Sequence, residues 1–294
     1  MEFKRALVTG SGGFIGSALC LHLKKRHIFV RGFSKEKERF SDESIAGDLK
    51  DFEALERACK GIDVVFHLAG MAYPSNTGTF TQEEIDVNVK GTLNVLEAAK
   101  MNGVKTVVYA SSAYVYGKPV KLPISENHPL LPDTFYGFFK LLGEESCKYY
   151  SRNGLRCVIA RIFNAFGKGQ QKRVIPDLIR KAEAAGDELA VGGNSADSRD
   201  FIGIDRVVEA FLLLAEKAEN GEAYNVASGT ETNMRDLAEL ICSAFKKKSK
   251  SFKKRVTHNF NNSNARRNVA DISKIAGLGF GPRKLEVLQI MDLI

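Results

Sequence analysis

Apolar residues fall in short runs separated by longer amphipathic stretches over the first half of the chain. Residues 3–8 read as one strand around such a run, 14–26 repeat apolar positions at helical spacing, and 27–31 read as a second strand. The alternation returns at 62–68, 81–101, 104–110, 134–152 and 155–162, which predicts a βαβ series. The runs at 64–68 and 106–110 lack a clean two-residue alternation, as expected of parallel strands covered on both faces. Helices must therefore flank the sheet.

Beyond residue 165 the pattern loosens. Helices are predicted near 175–185 and at 205–220, 233–247 and 271–277, the last opened by Asp271 and Ser273. Strands are predicted at 188–192 and 255–260. The fold class is α/β, a doubly wound parallel sheet over 1–165, with 166–294 mainly a smaller lobe and some segments returning to the first domain. Ligands of such a sheet bind beyond the carboxyl ends of its strands, here at Gly10, Ala69, Ser112 and Asn164.

Composition narrows the class. A chain of 294 residues, 44% hydrophobic, can bury a substantial core. The cysteines, Cys20, Cys59, Cys147, Cys157 and Cys242, show neither a CxxC pair nor metal-ligand spacing, which predicts reduced thiols and no metal site. Without a basic-then-apolar leader or an apolar stretch long enough to span a bilayer, a cytoplasmic protein with no membrane insertion is expected. The net charge of +8 is concentrated at 246–255, seven basic residues with no acidic one, which reads as a solvated run and not as a nucleic-acid face.

Two patterns carry chemistry. Gly10, Gly13 and Gly16 sit where the first strand becomes a helix, and glycine there permits a tight turn, close approach of backbone to phosphate and close helix packing. Farther on, Tyr136 and Lys140 are one helical turn apart on one face. A nearby cation, Lys140 or a nicotinamidium, stabilises a phenolate and draws Tyr136 toward the working pH range. Ser112 ends the strand before them and is placed to donate to the same substrate oxygen.

These features belong to an ordered set. It comprises Thr9-Gly-Ser-Gly-Gly-Phe-Ile-Gly16, Gly47-Asp48-Leu49, His67-Leu-Ala-Gly70, Asn88-Val-Lys-Gly-Thr92, Ser111-Ser112, Tyr136 to Lys140, Arg161-Ile-Phe-Asn-Ala-Phe-Gly167, Arg199-Asp-Phe-Ile-Gly-Ile-Asp205 and Tyr224-Asn-Val226. The set resembles the extended short-chain dehydrogenase/reductase family, of the NAD-dependent epimerase/dehydratase type, from residue 3 to roughly 280. The resemblance implies a Rossmann-like domain with a small C-terminal substrate-binding lobe, NAD or NADP as cofactor and a nucleotide-diphosphate sugar as substrate. It also implies a homodimer through helices 81–101 and 134–152, with Phe138 and Phe139 as packing or interface aromatics.

Carried over residue by residue, the resemblance makes Tyr136 the acid or base at a sugar hydroxyl or ketone. Lys140 then binds the nicotinamide ribose and Ser112 the reacting oxygen. Phe14 and Ile15 belong to the glycine turn, Asp48 and Leu49 match the adenine contact, and Leu68, Ala69 and Gly70 match the loop along pyrophosphate and ribose. Asn88 and Phe163 stand on the cofactor side, while Tyr114, Asn164, Val174, Ile175 and Arg199 line the substrate.

Three departures bear on the reaction. Arg31 and Lys35 close the second strand where an NAD-preferring protein shows an acid, which suits a 2′-phosphate, NADP and a reductase; the other reading leaves both solvated. Ala113 and Tyr114 follow Ser112 where dehydratases of the family carry an acidic pair, which speaks against 4,6-dehydration. The stretch Asn261-Asn-Ser-Asn264 replaces an arginine-bearing turn, leaving Arg266 and Arg267 as the expected diphosphate contacts. The leading expectation is an NAD(P)-dependent nucleotide-sugar 4-epimerase acting through a 4-keto intermediate. An NADPH-dependent reductase of a nucleotide-linked 4-keto-6-deoxyhexose is second, and a non-catalytic dinucleotide-binding protein is the remote alternative.

Overall fold

The computed structural model describes residues 3–71, 79–184, 188–193, 197–248, 255–260 and 266–294. Its strands are β1 (Arg5–Thr9), β2 (Phe29–Ser34), β3 (Glu43–Ala46), β4 (Val64–His67), β5 (Thr106–Ser112) and β6 (Cys157–Ile162), then β7 (Asn164–Phe166), β8 (Glu188–Gly193), β9 (Ser198–Gly203), β10 (Ala223–Val226), β11 (Glu231–Asn233) and β12 (Arg255–Phe260). The helices are α1 (Phe14–Lys25), α2 (Phe52–Cys59), α3 (Gln82–Ile85), α4 (Gly91–Met101), α5 (Phe135–Arg152), α6 (Val174–Ala184), α7 (Ile204–Lys217), α8 (Met234–Lys248), α9 (Ser273–Ala276) and α10 (Val287–Met291).

Seven strands form one sheet in the order β10-β6-β5-β4-β1-β2-β3, and every pairing in it is parallel. Strand order reverses between β1 and β4, so the crevice beyond their carboxyl ends is the place for a ligand. Alternation along β1 divides the core: Ala6 and Val8 join Leu19, Leu23, Phe66 and Phe211 on one face, whereas Leu7 joins Leu55, Val65, Leu96 and Val107 on the other. A third core of Phe166, Ile175, Leu178, Leu237, Ile241 and Ile290 lies under α6, α8 and α10, beside two small sheets, β11-β9-β7 and β12-β8. Both β10 and α7 return to the large sheet.

The helix predicted at 81–101 is interrupted: between α3 and α4, Asp86–Lys90 form a wide π-turn. Asn88 explains the interruption, because its Oδ1 accepts the main-chain N–H of Met71 at 2.9 Å. The carbonyl of Asn88 takes the Thr92 hydroxyl at 2.7 Å. The segments β3, β7, β9, β10, β11, α2 and α10, absent from the prediction, are all short and held by distant partners. Most of the basic run and the stretch 261–264 lie outside the described residues. Among the described residues no helix is long and apolar enough to cross a membrane, and no group of acidic, histidine and cysteine side chains could hold a metal ion.

Candidate active site

The turn after β1 is shaped by what a side chain would strike. Gly10 has φ +72° and lies so near the chain after β4 that a Cβ would fall 2.9 Å from the Cα and N of Ala69. A Cβ on Gly16 would fall 2.1 Å from the carbonyl oxygen of Gly10, so the first turn of α1 rests on this loop. Gly13 precedes α1 and no side chain caps the helix, which leaves its first N–H groups to the crevice. Such a start, with its favourable dipole, fits a dinucleotide pyrophosphate.

A buried relay braces the floor. Thr9 Oγ1 accepts the N–H of Ala69 at 3.2 Å and meets His67 Nδ1 at 2.7 Å, and His67 Nε2 meets the Thr92 hydroxyl at 3.1 Å. Burial, then the nearby Lys140 cation, pushes the imidazole down to about 3, so His67 is neutral. One assignment satisfies every partner: Thr9 donates to Nδ1, Nε2–H donates to Thr92, and Thr92 donates to the Asn88 carbonyl.

The opposite wall carries the reacting side chains. Thr134 caps α5 by accepting the N–H of Gly137 at 3.1 Å, which sets Tyr136 in the first turn. Ser112 stands near enough to the Tyr136 hydroxyl to favour its ionised form, and the Tyr136 ring meets that of Tyr114 edge-on at 5.6 Å. Lys140, one turn later and buried, donates to the carbonyl of Ala110 at 2.7 Å and stands 5.9 Å from the Tyr136 ring centroid. Burial brings Lys140 down to about 8 and pushes the Tyr136 phenol above its usual value. The influences that oppose burial at Tyr136 are the Ser112 side chain and then the Arg173 charge, while the Lys140 ammonium is turned to the Ala110 carbonyl.

A cleft of about 680 Å³ joins these groups. It brings together Gly10, Gly13, Phe14, Ile15, Gly16, Leu68, Gly70, Ser112, Tyr114, Tyr136, Lys140, Phe163, Asn164, Val174, Ile175 and Arg199. Asn88 braces the floor from below, with its Oδ1 2.9 Å from where a Cβ on Gly70 would stand. Leu49 is buried against Gly91, and Asp48 accepts the N–H of Lys50 at 2.9 Å. Ala69 contributes backbone at the turn.

The four cations expected at phosphate, Arg31, Lys35, Arg266 and Arg267, are not among the residues that line this cleft. Arg31 stands inside β2, three residues before its end, and binds Glu43 at 2.7 Å and the carbonyls of Ala58 and Lys60 at 2.8 and 2.9 Å. Lys35 pairs with Glu83 at 3.2 Å, and Arg267 grips both oxygens of Glu231. The main-chain N–H of Arg266 is held by Asp197 at 2.7 Å. Instead, Lys172 and Arg173, from the loop before α6, line the cleft, with Arg173 at φ 99°. Gln170 lines it too. A basic doublet directly before Val174 was the available sequence signal.

The family model described as "NAD dependent epimerase/dehydratase family" matches residues 6–227. GDP-mannose 3,5-epimerase 1 of Oryza sativa subsp. japonica is 32% identical over 264 residues, covering 82% of this chain and 69% of that protein. The UDP-N-acetylglucosamine 4-epimerase from Methanobrevibacter ruminantium M1, solved with UDP-N-acetylmuramic acid, superposes with a TM-score of 0.86 at 28% identity, covering 99% of this chain and 97% of that one. RMD from Pseudomonas aeruginosa, solved with NADPH, gives 0.83 at 28% identity over 98% and 97%.

Proposed function

Because the chain belongs to the NAD dependent epimerase/dehydratase family, we propose that this NAD(P)-binding enzyme is a nucleotide-sugar 4-epimerase acting through a 4-keto intermediate. The observation that carries the reading is that one cleft is lined by Ser112, Tyr136 and Lys140 on one wall and by the uncapped glycine turn opposite. Gly10, Gly13, Gly16, Leu68, Gly70 and Lys140 would hold the dinucleotide, which supplies hydride transfer at the sugar carbon when bound. Tyr136 takes the proton of the substrate hydroxyl as a phenolate, a form that the nicotinamidium charge of a bound dinucleotide would favour against burial, and later returns it; Ser112 holds the oxygen that changes charge. Arg173, Lys172 and Arg199 give the opposite side of the cleft the positive charge a sugar diphosphate requires. In this reading 166–294 serve mainly as the substrate lobe.

The placement of Arg31 favours the epimerase, since a guanidinium held by Glu43 and two carbonyls is no cradle for a 2′-phosphate. One observation favours the reductase instead: β2 ends on Ser34 and is followed by the cation Lys35, where an NAD-preferring protein shows an acid. Mass spectrometry of the denatured, purified protein separates the two. Near-stoichiometric NAD supports the epimerase. An empty protein that binds NADPH much more tightly than NADH supports the reductase.

A homodimer through α4 and α5 belongs to the same proposal. Leu93, Met101, Phe138 and Tyr149 are exposed large apolar side chains on these two helices. Light scattering of the wild type and of Phe138→Glu, with a dimer expected only in the wild type, tests it.

A further inference from the structure

Directly behind the reacting pair lies a buried ionic cluster. Glu144, one turn beyond Lys140 on α5, is 0% exposed, and Arg161 on β6 is 3% exposed. Arg161 Nε donates to Glu144 Oε1 at 3.0 Å and Nη2 to Oε2 at 2.7 Å, while Ser111 donates to Oε1 from the residue before Ser112. Arg161 Nη1 donates to the Tyr116 hydroxyl at 3.0 Å and to the Glu126 carbonyl at 2.9 Å, and Tyr116 donates to Asn225 on β10 at 2.6 Å. Burying such a pair costs several kcal/mol per ion in desolvation, and apolar replacements often serve stability as well, so stability alone is a weak reason for it.

We propose that Glu144 and Arg161 are positioning residues: the Glu144 carboxylate keeps Lys140 an ammonium ion and its bond to Ser111 fixes Ser112 at the cleft, while Arg161 holds that carboxylate in place and tempers its charge. The surroundings of Lys140 favour this. From β5 it meets the Ala110 carbonyl and the Tyr109 ring, at 4.9 Å, and from β4 the neutral His67. The π-turn presents the amide Asn88 across Gly70. On its own helix stand Tyr136, Glu144 and Cys147, and burial holds the phenol and the thiol in their protonated forms. Among the described residues Cys147 and then Glu144 oppose the desolvation of Lys140, and with the thiol protonated the Glu144 carboxylate is the anion of the two. The consequence for catalysis rests on the proposed roles of Tyr136 and Lys140, but the titration below reads the lysine alone.

The test is a pH titration of Lys140 in the full-length protein, by NMR of ¹³C-labelled lysine side chains, with Lys140→Met identifying the resonance. Wild type is expected to titrate near pH 8. Glu144→Gln keeps an acceptor for Ser111 and Arg161 but leaves a cation unpaired, and it lowers the midpoint by about half a unit or more. Arg161→Gln leaves the carboxylate unpaired and raises the midpoint by about as much. A general loosening of structure would move both variants the same way. Each variant that folds has its own predicted sign, so either suffices, and an unchanged midpoint or a shift against the predicted sign overturns the proposal.

Discussion

Replacing Gly16 by alanine tests the dinucleotide turn at its tightest point. The added methyl would stand 2.1 Å from the Gly10 carbonyl oxygen, 2.8 Å from its carbon and 2.9 Å from the Ser11 Cα. An ordinary contact needs about 3.5 Å, and since all three atoms are backbone, α1 and the turn must part by about 1 Å. Overpacking of this kind typically costs about 1–3 kcal/mol. Melting should fall by on the order of 2–4 °C per kcal/mol. The same displacement misplaces the N–H groups facing the cleft, so dinucleotide affinity, followed by fluorescence titration, should drop about tenfold for each 1.4 kcal/mol lost. Gly12→Ala is the internal control for stability, because the nearest atoms its methyl would meet are Ser34 Oγ at 3.6 Å, Glu38 Cβ at 3.8 Å and Ser34 Cβ at 3.9 Å, all ordinary contacts. Gly16→Ala melting and binding like the wild type, or Gly12→Ala losing as much stability, would refute the steric reasoning.

Three further outcomes follow from the site. Tyr136→Phe removes the proton-transfer group but keeps the ring against Tyr114, so kcat should fall about 10²–10⁴-fold with little change in KM; near wild-type turnover would sink the assigned role. His67 binds its proton near 3 when folded and near 6.5 when unfolded, so the unfolded chain takes up protons first on acidification. Stability from this residue, present above pH 6.5, should fall by about 2 kcal/mol by pH 5, and urea unfolding of His67→Gln should lack that component. Gly117 has φ 62°, and a Cβ there would lie 1.9 Å from the Leu131 carbonyl oxygen, so Gly117→Ala should lose about 2–4 kcal/mol in chemical denaturation.

Local sterics were legible in the sequence. Gly10 and Gly16 identify their turn because only a missing side chain permits it, and the Tyr136–Lys140 spacing fixes one helical face. Arg31 misled because position along a strand does not tell which face a side chain takes. Val30 and Gly32 point toward α1, whereas Arg31 points with Phe33 toward the far face, where the carbonyls at the end of α2 receive it. The wide turn at Asp86–Lys90 had no local signal either, since its cause is the Met71 backbone on another segment. Arg173 reaches the cleft through an irregular loop whose path periodicity does not encode.

That wide turn also changes the arithmetic of its helix. An α-helix advances about 100° per residue, so one extra residue rotates everything before it relative to everything after it by roughly that angle. Thr81 to Ile85 and Gly91 to Met101 therefore do not share one wheel, and a side chain's neighbours cannot be read across the junction by counting in fours. Deleting a single residue between Asp86 and Lys90 would restore a uniform helix while swinging Glu84 out of its buried position and turning the Asn88 amide away from Met71. At this point the spacing of the chain, as much as the identity of its residues, determines the floor of the cleft.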